Sequence, residues 1–179
     1  MAAGYKFDTT PQVNIREYVR WETVKRGSKG ANLMDNAEGY IFPLTPLKVN
    51  LETLEATICV RVKLTDAGKV EYLNGLKAGA FLSDGENTYE VTAINEVDGG
   101  YELVGVEGQA GDVLFEVEGA EGKEAKDVPT HLNYATTKIS DDETVTILYG
   151  AEEIEEHKLF APLTDADKEA LGDRFYFIY

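Results

Sequence analysis

A chain of 179 residues with 43% hydrophobic and 10% aromatic content is long enough for one modest core and too apolar for global disorder. Its 33 Asp/Glu against 17 Lys/Arg leave a net charge of −16, which repels nucleic-acid phosphates and anionic membrane surfaces, so neither is expected as a partner. Cys59 is the single cysteine, which excludes an intrachain disulfide, and no apolar run approaches the length of a membrane span.

The charge is divided along the chain. Residues 1–48 carry seven cations (Lys6, Arg16, Arg20, Lys25, Arg26, Lys29, Lys48) against five anions (Asp8, Glu17, Glu22, Asp35, Glu38), a net of +2. The rest carries ten against twenty-eight, a net of −18, and the two sum to −16. No apolar stretch follows Lys6, so no signal peptide is expected and the chain should fold in the cytoplasm. Val13 and Ile15 alternate and could pair as a strand. Lys25–Gly30, with three cations and two glycines, reads as a loop. Pro43 and Pro46 then hold an apolar segment extended, with Tyr40, Ile41, Phe42, Leu44 and Leu47 around them. That segment either packs along its own domain or docks on a partner. Residues 1–48 therefore read as an extended attachment arm, and 49–179 as an acidic β domain.

From residue 58 the texture is β. Ile58–Leu64 alternates, with Ile58, Val60, Val62 and Leu64 on one face. Cys59, Arg61 and Lys63 share the opposite face, which is either solvated or covered by another element. Asp66-Ala67-Gly68 is a turn, Val70–Leu73 a short strand, and Gly79–Gly85 leads into a second turn. Thr88–Asn95 alternates, and Asp98-Gly99-Gly100 is a hairpin signal before a strand over 101–107. Val113–Glu118 reads as a strand with Val113, Phe115 and Val117 on one face, and Thr144–Tyr149 as another. Residues 150–158 fit either a helical turn or a bulged strand. Thr164 is a good N-cap for a short helix over Asp165–Leu171, with Asp165 and Asp167 in its first turn and Gly172 after its end. Tyr176–Tyr179 should form a closing strand or a subunit contact. The expected fold is mainly β: a small antiparallel β-sandwich or barrel with an extended N-terminal arm and one short C-terminal helix.

Catalytic chemistry is sparse. His131 and His157 are the two histidines, and with one cysteine they cannot complete a four-ligand zinc site. Ser28, Ser83 and Ser140 are the three serines, all in turn-like settings and none in a nucleophile elbow. Cys59 has no neighbouring His or helix start to lower its pKa, so it reads as structural. The glycines of 105–111 follow a strand, but no helix succeeds them and Glu107 would repel a phosphate. Ser83–Asn87 and Ser140–Thr144 gather acidic oxygens without the calcium-loop pattern and read as hairpin turns. No catalytic residue, metal or cofactor is expected, and the chain reads as a non-enzyme. The basic cluster Arg16, Arg20, Trp21, Lys25, Arg26 and Lys29 suits an acidic protein surface, or docks back on the body itself. With Tyr40, Phe42 and Leu44 it makes the expected partner-binding set.

One family resemblance is present. Leu76–Gly85 with Tyr89–Ile94 behind it, then Ala110–Val117, Leu132-Asn133-Tyr134, Val145–Gly150 and Leu159–Leu163, resemble head-decoration, auxiliary capsid and head-fibre proteins of tailed bacteriophages. The resemblance runs over roughly residues 70–172 and brings no catalytic motif. It implies a small β domain on the outer surface of a phage head, bound to the major capsid protein in symmetric copies. The implied state is a homo-oligomer, a trimer before others, or an array on the shell, assembled in the host cytoplasm and residing on the virion. The N-terminal arm is long for a plain decoration domain and suggests a larger footprint or a base for a fibre. Two other classes fit the residues: a carbohydrate-binding adhesion module using the ten tyrosines and Trp21, and an acidic inhibitor that mimics nucleic acid.

Overall fold

Alternating apolar residues make strands along most of the chain, and where that alternation continues through a backbone break, the two halves enter different sheets. The structure, a computed structural model, describes residues 25–33 (backbone), 39–139 and 144–179. Its strands are β1 (Lys25–Leu33), β2 (Tyr40–Ile41), β3 (Pro46–Asn50), β4 (Glu55–Ile58), β5 (Arg61–Asp66), β6 (Lys69–Val70), β7 (Phe81–Ser83) and β8 (Thr88–Glu90). They continue as β9 (Ala93–Val97), β10 (Gly100–Val104), β11 (Val113–Val117), β12 (His131–Asn133), β13 (Thr137–Lys138) and β14 (Thr144–Glu155). The helix α1 (Asp165–Leu171) and the closing strand β15 (Phe175–Ile178) complete the chain. The mainly β class, the short C-terminal helix and the closing strand are as the sequence predicts.

Two sheets carry the architecture. The first runs β1-β4-β3-β12-β14, and β14 pairs back on β1, so five strands close into a barrel. Closure leaves no free edge within the ring. The outgoing half of β14 then takes β15 as a parallel neighbour, Ala151 opposite Phe175 and Ile154 opposite Phe177. The second sheet has seven strands, β8-β7-β11-β5-β6-β10-β9, all antiparallel. A small ladder of β2 with β13 stands beside them.

The single strand expected over 58–64 is two strands. β4 ends at Ile58, the Cys59 amide donates to the Pro46 carbonyl (3.0 Å), and β5 starts at Arg61 in the other sheet. Ile58, Val60, Val62 and Leu64 stay in phase across the switch and are all buried in one core cluster, with Leu82, Leu103, Leu114 and Ile147. Both sheets therefore share one core. On β11 Leu114 is fully buried in that core, and of the three residues expected on the other face Val113 and Phe115 are half-buried while Val117 is buried at 2%. The hairpin at Asp98-Gly99 is as expected, with Val97 opposite Gly100. Gly100 has φ +153°, and a side chain there would run into the Val70 carbonyl.

The arm divides differently from the sequence reading. Ile41, Leu44 and Leu47 are at most 1% exposed, and the expected boundary at residue 48 falls inside β3. Pro43 does not hold this segment straight. It occupies the second position of a turn closed by Thr45 N–H to the Phe42 carbonyl (3.2 Å), and Leu44 takes the third position at φ 68°. A leucine in that left-handed region is strained. Its amide bonds to the Asn133 carbonyl (2.7 Å), and its side chain is buried with Leu132, Leu148 and Phe175, which holds the conformation. Residues 40–48 are thus core of the β domain. The Lys25–Gly30 loop is also corrected. It belongs to β1, with a bulge where Arg26 stands opposite Leu148 and Gly30 opposite Thr146. Residues 150–158 combine both earlier readings: β14 continues to Glu155 through a register shift, and a single 3-10 turn follows over Glu156–Lys158.

Candidate functional site

The face of β5 opposite the core positions the site. Arg61 at the start of that face is buried against α1, whereas Lys63 and Thr65, further along, are exposed. Arg61 is 1% exposed and reaches α1. Its Nε and Nη2 donate to the two carboxylate oxygens of Asp167 at 2.8 and 2.7 Å. Nη1 donates to the Val60 carbonyl (2.9 Å), and Nη2 also donates to the Asp127 carbonyl (3.0 Å). The guanidinium lies over the Phe115 ring, 5.8 Å from its centroid. Such a fork matches a carboxylate in two parallel bonds, a geometry lysine cannot make.

Asp167 serves two structures at once. Its side chain accepts from the Thr164 amide (3.0 Å) while the Thr164 hydroxyl accepts from the Asp167 amide (3.1 Å), closing a capping box on α1. Burial pushes the Asp167 carboxyl up, but the hydrogen bonds and charge of Arg61, with the Thr164 contacts, outweigh it and hold the group below the ordinary aspartate value. Asn74, buried at 2%, donates to the Arg61 carbonyl and to the Phe160 carbonyl, each at 2.9 Å. Lys168 adds a bridge from α1 to Glu156 (3.2 Å). The segment 156–168 is therefore tied to β5 at two points, directly through Asp167 and, by way of Asn74, at Phe160, and is braced within itself by Lys168–Glu156. Cys59, fully buried beside this network, has its thiol pushed up to about 12 by burial, so it remains protonated.

Beyond the ion pair the same two elements part into an open cleft of about 640 Å³. It is lined by Lys63, Thr65 and Val113 of the seven-stranded sheet, by Glu71 and Tyr72, and by Glu156, His157, Phe160 and Tyr179. Phe160 stacks on Phe42 (4.3 Å between centroids, 25° between planes), and Tyr72 packs edge-on against both, at 4.7 and 5.4 Å. The three rings brace one another, so the aromatic wall is preformed. Comparison with protein-family models, with curated proteins and with solved structures finds no match for this chain. The site is therefore read from its own chemistry.

Of the expected partner-binding residues, Arg16, Arg20 and Trp21 lie outside the described residues. Lys25, Arg26 and Lys29 sit on β1, whose backbone is held against β14. Tyr40 lies on β2, half-buried; Phe42 is half-buried in the three-ring cluster; Leu44 is in the core and presents no surface to a partner. Lys48 docks on its own body through Asp127 (2.9 Å). His131 and His157 are not brought together. His131 is buried, edge-on to Tyr149 at 5.1 Å, and His157 lines the cleft. Among the described residues no group of three or more His, Cys, Asp and Glu is placed to hold a metal ion. Ser83 serves its turn, donating to the Asn87 carbonyl (2.7 Å) and accepting from the Gly85 amide (3.0 Å).

The sequence reading does not reach Tyr72, Phe160 or the Arg61–Asp167 pair. One signal was present, Thr164 three residues before Asp167, the spacing of a capping box; Arg61 stands at the polar phase of its alternating run, as Lys63 does, and gives none. Nothing in the local pattern joins them across 106 residues.

Proposed function

We propose that the chain is a non-enzymatic virion structural protein of the decoration or head-fibre type, which binds the major capsid protein on the outer surface of a phage head as a homo-oligomer or symmetric array. The observation that carries this reading is the partition of charge, +2 over residues 1–48 against −18 over the rest. An acidic body repels its own copies on a crowded shell except where specific contacts hold them, while the leader before β1, neutral overall with Lys6, Arg16 and Arg20 against Asp8, Glu17 and Glu22, can offer Arg16 and Arg20 to an acidic protein surface. The barrel adds a mechanical argument. β1 carries Lys25, Arg26 and Lys29 and pairs with β14 at five register positions, so a pull on the leader is transmitted into a closed ring of strands. Many weak contacts per shell then sum through multivalency.

The test is co-sedimentation with heads that lack this protein. Charge reversal at Arg16 and Arg20 should weaken association more at low salt than at high, because exposed pairs are screened beyond about 10 Å at 0.1 M. Variants that sediment with heads as the parent does at every salt concentration, or a parent that fails to sediment with heads at all, would remove this reading.

A further inference from the structure

We propose that the cleft between β5 and the C-terminal segment is a binding site for a neutral glycan chain. A site of this kind needs aromatic surface for the C–H faces of sugar rings and flanking groups that both give and accept hydrogen bonds, and this cleft combines them. The aromatic surface comes from Tyr72 and Phe160, held in place by Phe42 behind them, with the exposed Tyr179 at the rim. The polar residues lining it are Glu71, Glu156, Lys63 and Thr65, of which Glu156 also meets Lys168 (3.2 Å) and the Thr65 hydroxyl donates to the Lys69 carbonyl (3.3 Å). A sugar hydroxyl is donor and acceptor at once and suits such a mixed set. A hydrophobic peptide would bury the Lys63 amine without offering it a partner, at a desolvation cost.

Charge decides the sign of the ligand. At −16 overall, with Glu71 and Glu156 both lining the cleft, the protein disfavours sialylated, sulfated or nucleic-acid polymers. The volume falls within the range of small-molecule sites, and the cleft is partly open to solvent rather than enclosed, which leaves room for a ligand to extend beyond it.

The bracing supplies an independent argument. A buried Arg–Asp pair is about neutral for stability against an apolar pair of the same size, so its presence calls for a geometric reason. Here the reason is visible: Arg61–Asp167 and the Asn74–Phe160 bond set the separation of β5 from the segment that carries Glu156, His157 and Phe160. A cleft held at fixed width binds without the ordering cost of a mobile one.

The inference stands apart from capsid attachment and is tested on the free, full-length protein. The probes are gluco-, manno-, galacto- and N-acetylglucosamine oligosaccharides on a printed array, followed by calorimetry on any that bind. At least one neutral series should bind. Tyr72→Ala should weaken it by about tenfold or more, as aromatic anchors do. Because Tyr72 is packed into the ring cluster, Tyr179→Ala and Glu71→Gln are measured beside it. Both residues are exposed, so both variants should keep the parent's melting temperature and still bind less well. Absence of binding to every neutral series, binding confined to anionic glycans, or binding that Tyr179→Ala and Glu71→Gln both leave unchanged would each overturn the proposal.

Discussion

Removing the Asp167 carboxylate should destabilise this protein more than most single substitutions can. Asp167→Ala leaves the Arg61 guanidinium at 1% exposure without the two bonds of 2.7 and 2.8 Å that balance its charge. Stranding one member of a buried pair costs about 3–5 kcal/mol, and the Thr164 amide also loses its carboxylate acceptor while the Thr164 cap on the residue 167 amide remains. For a chain of this length, the ion-pair part alone lowers the melting temperature by about 6–20 °C. Arg61→Leu should cost a similar amount, because it strands the carboxylate and also takes the donors from the Val60 and Asp127 carbonyls. The double variant Arg61→Leu/Asp167→Leu removes both charges and should cost no more than either single change. The assay is urea denaturation followed by far-ultraviolet circular dichroism, with the slope checked for constancy so that midpoints report stability. The pH dependence adds a second readout. Asp167 has its folded-state pKa depressed, so its contribution is complete above the unfolded value of about 3.9 and is lost as pH falls through the folded value. Asp167→Ala should therefore show a shallower acid limb than the parent. Single variants that each cost under about 1 kcal/mol, or a double variant whose cost is the sum of the singles, would mean that the pair is solvated and that α1 is not anchored through it.

Two further outcomes follow from the burial pattern. A chain beginning at Val49 should not melt cooperatively, because it lacks β1, β2 and the start of β3 together with the buried Ile41, Leu44 and Leu47; a sharp β-type melt from that truncation would restore the boundary at residue 48. His131 is held below its ordinary pKa first by burial and then by the charge of Arg174, so the unfolded state binds its proton more readily than the folded state does. Stability should be complete above about 6.5 and decline as pH falls from there toward the folded value, and His131→Gln should flatten that part of the profile in the same denaturation assay.

How much of this was legible in the sequence follows from the range of each signal. Turn chemistry at Asp98-Gly99, the N-cap at Thr164 and the stop at Gly172 act within a few residues, through local hydrogen bonds and allowed φ, and these elements lie where the sequence places them. Alternation also acts locally, and it correctly grouped Ile58, Val60, Val62 and Leu64 as one buried face. It says nothing of the backbone break at Cys59-Val60, because side-chain phase survives a change of sheet. The Pro43 turn needed a left-handed leucine, a state sequence rules disfavour and tertiary burial enforces. The cleft belongs to the same class. Tyr72 and Phe160 come from distant segments, and the ion pair beside them joins a guanidinium and a carboxylate 106 residues apart. Composition, charge partition, strands and caps are thus properties of the sequence alone. Which face is covered, and by what, is decided only by the fold, because burial is a relation between two elements and each element's own pattern describes only one of them.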